Sequence, residues 1–490
     1  MEQKEELHMT FFGEILKMRI NLCCLFRPGM RYVAPALAAC LALALGLARP
    51  VAAESLADAV RAAVTTNPTA RAANADVKAS ALELLELRGE YQPRLFLHAE
   101  AGAERFDDPE RQTPGDNEDT MFNREIGLTA ELTLFDGYRR ANLVYRNAAR
   151  LDEAIFGLLD ASETMALNAV EAYVDLVRHN SLLNVANRNI ARHRDIGRQV
   201  DELVEGGKLP VSARFEVQER LLAARVSRLD VQRAMADTAA RYRSVIGHEP
   251  GQTQPVPAVN DLPMTREDMV MHSLRNSFRL KGAGQRIAQS RFRTGITTAD
   301  EKPQVTLQAG VRAGEDVAGS SGAETDAFVG LRLDWELFAG GRDARRRALE
   351  QRTLQAEEER REVVREVREM AERSWNAYHT SIERTVLLDR RVSAARKTSA
   401  QYQDQFLAGT RSLLDVLDAE RTFFNVLFEN VSAEASFTFN QYRILAAQSR
   451  LAEHFGVEPA DVPLEPDFTA RAQDAPRPAA IFNTEIRALR

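Results

Sequence analysis

From 342 to 408 the chain runs without a single Gly or Pro, and from 138 to 205 it has no Pro and only Gly157 and Gly197. Those are the residues that punctuate helices, Pro by removing a donor and Gly by its backbone freedom. A helix over either stretch is ~100 Å long, against about 12 residues for an ordinary globular helix. Two such rods do not fit inside a compact globule. Along the second, Trp375, Tyr378, Ile382, Leu388, Val392, Ala395, Tyr402 and Phe406 recur at steps close to a heptad seam. Runs such as Glu357-Glu358-Glu359-Arg360-Arg361-Glu362 mark solvated faces.

The rods belong to an internal repeat. Leu134-Phe135-Asp136-Gly137 recurs as Leu337-Phe338-Ala339-Gly340, Ala172-Tyr173 as Ala377-Tyr378, Gly207 as Gly409, and Pro93 as Pro303. Each copy reads helix, strand, loop, strand, very long helix, turn, helix. The copies are expected over 54–250 and 264–460, with a Pro-rich linker at 251–263 and a Pro-rich tail at 461–490. The segments 55–91 and 212–247 are each about half a rod in length, so stacked end to end they match the long helix beside them. The turns at 206–212 and 409–412 then form hairpin tips far from the strands.

Four short segments alternate with period two, the signature of half-buried strands. In 94–105, Leu95, Leu97, Ala99, Ala101 and Ala103 oppose His98, Glu100, Gly102 and Glu104; in 124–135, Ile126, Leu128, Ala130, Leu132 and Leu134 oppose Glu125, Thr129, Glu131 and Thr133. In 304–313, Val305, Leu307, Ala309, Val311 and Ala313 oppose Thr306, Gln308 and Arg312; in 328–338, Val329, Leu331, Leu333, Trp335 and Leu337 oppose Arg332, Asp334 and Glu336. A soluble four-stranded sheet is one reading. A membrane barrel with lipid outside and water inside is the other, and four strands fall short of the roughly eight that the smallest barrels use. Closure then needs several chains, and three copies supply twelve strands.

The ends and the composition narrow the class. Cys23, Cys24 and Cys40 are the only cysteines, so a chain processed after Ala53 has no disulfide. Met30-Arg31, an apolar run through Leu47 and Val51-Ala52-Ala53 describe a secretory signal peptide over 1–53 with an upstream extension. The alternatives are an N-terminal membrane anchor, for which the run is short against ~20 residues, and a lipoprotein box at Leu37-Ala38-Ala39-Cys40. At 44% hydrophobic and 28% charged, the chain is too polar for a helical membrane bundle and too apolar for disorder. A formal charge of −7 gives no basic footprint for nucleic acid. There is no phosphate loop, Gly-x-Ser-x-Gly, His-Glu-x-x-His or Cys pair, and the eight histidines show no metal spacing. No enzyme, cofactor or metal is expected.

Gly409-Thr410-Arg411-Ser412-Leu413-Leu414-Asp415-Val416-Leu417-Asp418-Ala419-Glu420 resembles the GTRxxxDVLDA stretch at the second hairpin tip of the TolC family of outer membrane efflux and secretion ducts. Ser55-Leu56-Ala57-Asp58-Ala59-Val60 with Asn67-Pro68 is similar to the family's mature N-terminus, and the resemblance covers essentially 54–456. It implies a mainly α fold with a β part. A homotrimer would form a twelve-stranded barrel in outer membrane lipid, continuous with a helical tunnel reaching a periplasmic adaptor (membrane fusion) protein and an inner-membrane transporter.

Asp415 and Asp418, at i and i+3, share one helix face. In a trimer they would make two stacked carboxylate rings at the narrow end, which attract cations and repel anions. By resemblance these are the family's constriction acids. The simpler alternative is that Asp415 only serves the helix dipole. Arg411 matches the family's tip arginine, whereas the partner acid and tip tyrosine fall at Ala213 and Phe406, with Glu216 one turn on as a substitute acid. Gly207, Gly409 and Thr410 make the turns. Glu100, Glu104, Glu125, Glu131, Asp334 and Glu336 against Arg312 and Arg332 give a mildly cation-favouring lumen. Trp335, Tyr91 and Phe338 serve either as headgroup anchors or as packing at the strand–helix junction.

The expected function is a passive exit duct in which helix pairs rearrange like an iris at the tips. A type I protein secretion duct is favoured over small-molecule efflux, and the rival from another class is a soluble periplasmic coiled-coil adaptor.

Overall fold

A computed structural model of the chain describes residues 53–107, 118–317, 322–457 and 470–471. The expected signal segment therefore lies almost wholly outside the described residues, as does most of the tail. The first half holds α1 (Leu56–Thr66), α2 (Pro68–Gly89), β1 (Arg94–Asp107), β2 (Glu118–Phe135), α3 (Arg139–Glu205) and α4 (Ser212–Ile246). The second holds α5 (Arg266–Asn276), α6 (Phe278–Ala299), β3 (Gln304–Glu315), β4 (Ala323–Asp334), α7 (Arg342–Leu407) and α8 (Leu413–Ala447), followed by α9 (Leu451–His454). The lengths repeat: 11 and 22 residues in α1 and α2, 11 and 22 in α5 and α6, 67 in α3 and 66 in α7.

The expectation of one helix over 55–91 is corrected by a break at Asn67. Pro68 disfavours helical backbone in the residue before it, and Asn67 is extended at ψ 133, closing α1 and capping α2 by accepting from Thr69 N–H. Ser277 does the same between α5 and α6, its hydroxyl accepting from Leu280 N–H at 3.3 Å. Each shorter helix packs on a rod: α1, α2 and α4 on α3, α5 on α7, and α6 and α8 between the two, α6 chiefly on α3 and α8 chiefly on α7.

The rod α3 is central and buried along much of its length, whereas α7 lies at the edge of the helical layer with most of its surface exposed. The buried seam of α7 is Val367, Ala371, Ser374, Ser381, Leu388, Ser399, Gln403 and Phe406. Heptad spacing is present, but small and polar residues occupy much of the seam, and the expected Trp375 and Tyr378 are only partly buried against it. Small side chains let two helix backbones approach closely. Of the tail, Arg471 forms an ion pair with buried Asp152 of α3, and its carbonyl accepts from Arg88 of α2.

The strands form one antiparallel sheet in the order β1-β2-β3-β4. Registers align the two faces across the sheet. One row runs Leu97, Leu128, Val311, Ala327 and the next runs Leu95, Ala130, Ala309, Val329, so one face is apolar throughout its middle. No helix covers it: Leu97 is 71% exposed and Val329 75%. β1 and β2 run further into their loop than the alternation predicts, and β4 spans 323–334, not 328–338. The last ladder pair is Gln304 with Asp334. Pro303 precedes β3, so residues beyond 334 have no strand to pair with. Trp335, Glu336, Leu337 and Phe338 therefore belong to the strand-to-helix connection.

Candidate functional site

At the tips both hairpins turn in the same way. Gly207 and Gly409 adopt φ 66 and 77, a left-handed conformation open to glycine at little cost. Lys208 N–H reaches back to Leu203 O, and Thr410 N–H to Gln405 O at 2.9 Å, closing the last helical carbonyls. The two tips share one core of Ile196, Val200, Ala213, Val217, Phe406, Leu413, Val416 and Leu417. That packing explains Ala213 and Phe406: both are interior residues, where an acid or a phenol would need a partner.

Ser412 caps α8, its hydroxyl accepting from Asp415 N–H at 3.2 Å and donating to Asp415 Oδ2 at 2.8 Å. Asp415 thus takes the dipole-favoured first-turn position and is half-buried. Asp418 is exposed one turn on, 3.7 Å from Arg220 of α4 and 3.4 Å from Arg421. Arg411 places its guanidinium 3.8 Å from the Tyr402 ring centroid. Tyr402, one turn before Phe406, is therefore the tip aromatic that meets the arginine. Glu216 makes no ion pair among the described residues.

Behind the tip lies a polar network that sequence reasoning missed. Glu420, its side chain 2% exposed, accepts from Arg192 of α3 at 2.7 Å and from Ser399 of α7 at 2.7 Å. Arg192 also donates to Gln403 at 2.7 Å, and Gln403 donates to Gln199. Its signal was a Glu at a buried heptad position. Further along the same hairpin, burial and the nearby Asp389 push the Glu434 carboxyl above its ordinary range.

At the other end, the polar sheet face carries Arg94, His98, Glu100, Glu125, Glu131, Arg312, Arg332 and Asp334. Glu100 lies directly opposite Glu125, which also meets His98 at 3.3 Å; Gln308 donates to Glu131 at 2.9 Å and Arg332 pairs with Asp334 at 2.9 Å. Glu104 is in β1, with its side chain outside the described residues. Glu336 leaves this set and pairs with Arg342 at 3.3 Å. The earlier start of β4 adds Glu324 and Asp326 to the face, and the register adds Phe96 and Phe328.

At the junction, Arg140 pairs with Asp136 at 2.7 Å and stacks over Tyr91 at 4.5 Å, so Tyr91 is packed into the junction. Trp335 donates to Glu301 O at 3.1 Å with half its surface open, and Phe338 is exposed.

A family model described as "Outer membrane efflux protein" matches residues 270–448. Among curated proteins, the chain is 22% identical over 356 residues to the outer membrane efflux protein BepC of Brucella suis, covering 70% of this chain and 76% of the relative. It is 22% identical over 407 residues to the outer membrane protein TolC of Escherichia coli, covering 71% and 81%. Among solved structures, the Campylobacter jejuni CmeC outer membrane channel superposes with TM-score 0.71 at 12% identity, covering 85% of this chain and 88% of that one.

Proposed function

We propose, from the premise that this chain is a TolC-family outer membrane efflux protein, that three copies join into one continuous duct. The observation that carries the reading is the sheet. Among the described residues it leaves an apolar face bare and its edge strands, β1 and β4, unpaired on their outer sides. Unpaired strand edges are not stable in hydrocarbon, and four strands cannot close alone. Pairing β4 of each copy with β1 of the next makes twelve strands with lipid outside. The helical layer supports the same joining. Leu82 and Leu85 of α2 with Leu222, Val226 and Leu229 of α4 are exposed, as are Leu354, Met370, Val386 and Leu387 of α7. Such patches call for a partner surface.

In this assembly Asp415 and Asp418 ring the narrow end, Arg411 on Tyr402 braces the α7–α8 turn, and Arg220 with Asp418 holds the two hairpins together in the closed form. Opening moves the helix pairs apart, while an inner-membrane transporter and a periplasmic adaptor supply energy and docking. The duct itself is passive. We assign it to protein export, on the Asp-Val-Leu-Asp tip. Small-molecule efflux is the second reading, favoured by the printed names of the matching family and of BepC.

Purified protein in planar bilayers is expected to form discrete channels. Asp415→Ala with Asp418→Ala is expected to raise conductance and weaken divalent-cation block on the order of tenfold. Unchanged single-channel behaviour would remove the ring assignment, and full recovery in osmotic-shock fluid would favour the soluble adaptor. Deleting the gene separates the cargo readings: loss of a protein from the medium supports secretion, and heightened drug sensitivity alone supports efflux.

A further inference from the structure

We infer that Gly127 and Gly310 set the bore of the strand-built segment by letting the rings of His98 and Phe328 recline along its wall. This rests on the reading that the polar sheet face lines the duct. Two neighbouring rows of that face each place a ring next to a glycine: His98, Gly127, Arg312, Asp326, and Phe96, Thr129, Gly310, Phe328.

Neither glycine has a positive φ, so backbone conformation does not demand it, and the one close backbone atom is Leu128 O, 3.1 Å from a Cβ on Gly310. Glycine inside a strand costs about 0.5–1 kcal/mol in chain entropy, and the reason for bearing that cost is the space above it. A Cβ on Gly310 would lie 2.8 Å from Cε1 and Cζ of Phe328, well inside van der Waals contact. A Cβ on Gly127 would fall within the envelope of the His98 ring. That ring crosses the glycine to bring Nε2 within 3.3 Å of Glu125 on the same strand.

Each ring therefore leans across its glycine by one edge, Cε1–Nε2 of His98 and Cε1–Cζ of Phe328. Phe328 and Phe96 are 39% and 45% exposed, and the rows on either side of theirs, His98, Gly127, Arg312, Asp326 and Arg94, Glu131, Gln308, Gly330, are charged, polar or glycine. A methyl group at either glycine forces the ring off the wall and into the passage, once per copy at the same level. Gly330 provides an internal control. It lies on the same face in the next row, and a Cβ there meets nothing within 4 Å.

The test is single-channel recording on the full-length protein. In the Asp415→Ala, Asp418→Ala background, which keeps the tip from dominating the resistance, Gly310→Ala is expected to lower conductance by roughly a third, Gly310→Ala with Phe328→Ala to restore it, and Gly330→Ala to match that background. Gly127→Ala and Gly127→Ala with His98→Ala repeat the logic in the adjoining row and carry the test if Gly310→Ala does not insert. Background-like conductance in both glycine variants overturns the inference. So does a loss that truncating the ring fails to reverse, because the backbone then accounts for it. A parent protein that forms no channel defeats the duct reading instead.

Discussion

Leu128→Arg is expected to abolish accumulation in the outer membrane, while Thr129→Arg, one residue along the same strand, leaves it nearly intact. The two positions differ only in face. Leu128 shares its row with Leu97, Val311 and Ala327; Thr129 shares its row with Phe96, Gly310 and Phe328. Both rows lie near mid-strand, where a guanidinium facing lipid costs about 2–4 kcal/mol, and the proposed trimer would meet that cost three times. On the water-lined face the same group stays solvated. The check is the yield of heat-modifiable trimer in the outer membrane fraction after density-gradient separation. Equal yields would place neither face against lipid, and the reverse order would turn the barrel inside out.

Glu420→Ala is expected to lower the melting temperature of the helical part more than any other single change near the tip. Truncation removes the acceptor for two donors at once, Arg192 and the buried Ser399. Removing one member of a buried ion pair costs about 3–5 kcal/mol. Because Arg192 remains 32% exposed, a loss of about 2–3 kcal/mol is the better expectation. Glu420→Gln keeps an acceptor and falls between Ala and parent. Replacing both partners by Arg192→Met and Glu420→Leu leaves no orphaned charge and recovers most of the loss. Circular dichroism at helical wavelengths reads all four proteins. A Glu420→Ala melt equal to the parent would show that the network adds nothing to the joint between α3 and the α7–α8 hairpin.

Periodicity explains which parts were legible in the chain. Period two over ten or more residues has one structural solution: the alternation at Leu95, Leu97 and Ala99 survives intact in the ladder, and that at Val305, Leu307 and Ala309 survives up to a bulge between Thr133 and Phe135 that sets Phe135 opposite Val305. The Gly/Pro-free stretches became rods for the same kind of reason. Ends of elements were less legible, because they depend on partners. β4 stops at Asp334 where β3 begins, although Trp335 and Leu337 continue the pattern. Leu388 and Phe406 of the α7 seam were legible, whereas Ser374, Ser381 and Ser399 were missed because they look like surface residues until a second helix lies against them. Tyr402 was passed over in favour of Phe406, since one helical turn decides which ring meets Arg411 and which joins the tip core.

The order of residues alone was sufficient for rods, a two-sided sheet and tip acids, since each depends on spacing within a single element. Which side chains meet across elements was settled only by packing: Arg192 with Glu420, Arg411 with Tyr402, Phe328 over Gly310. Those pairings join one element or turn to another, and local periodicity carries no information about the relative rotation and height of two helices or the register of two strands.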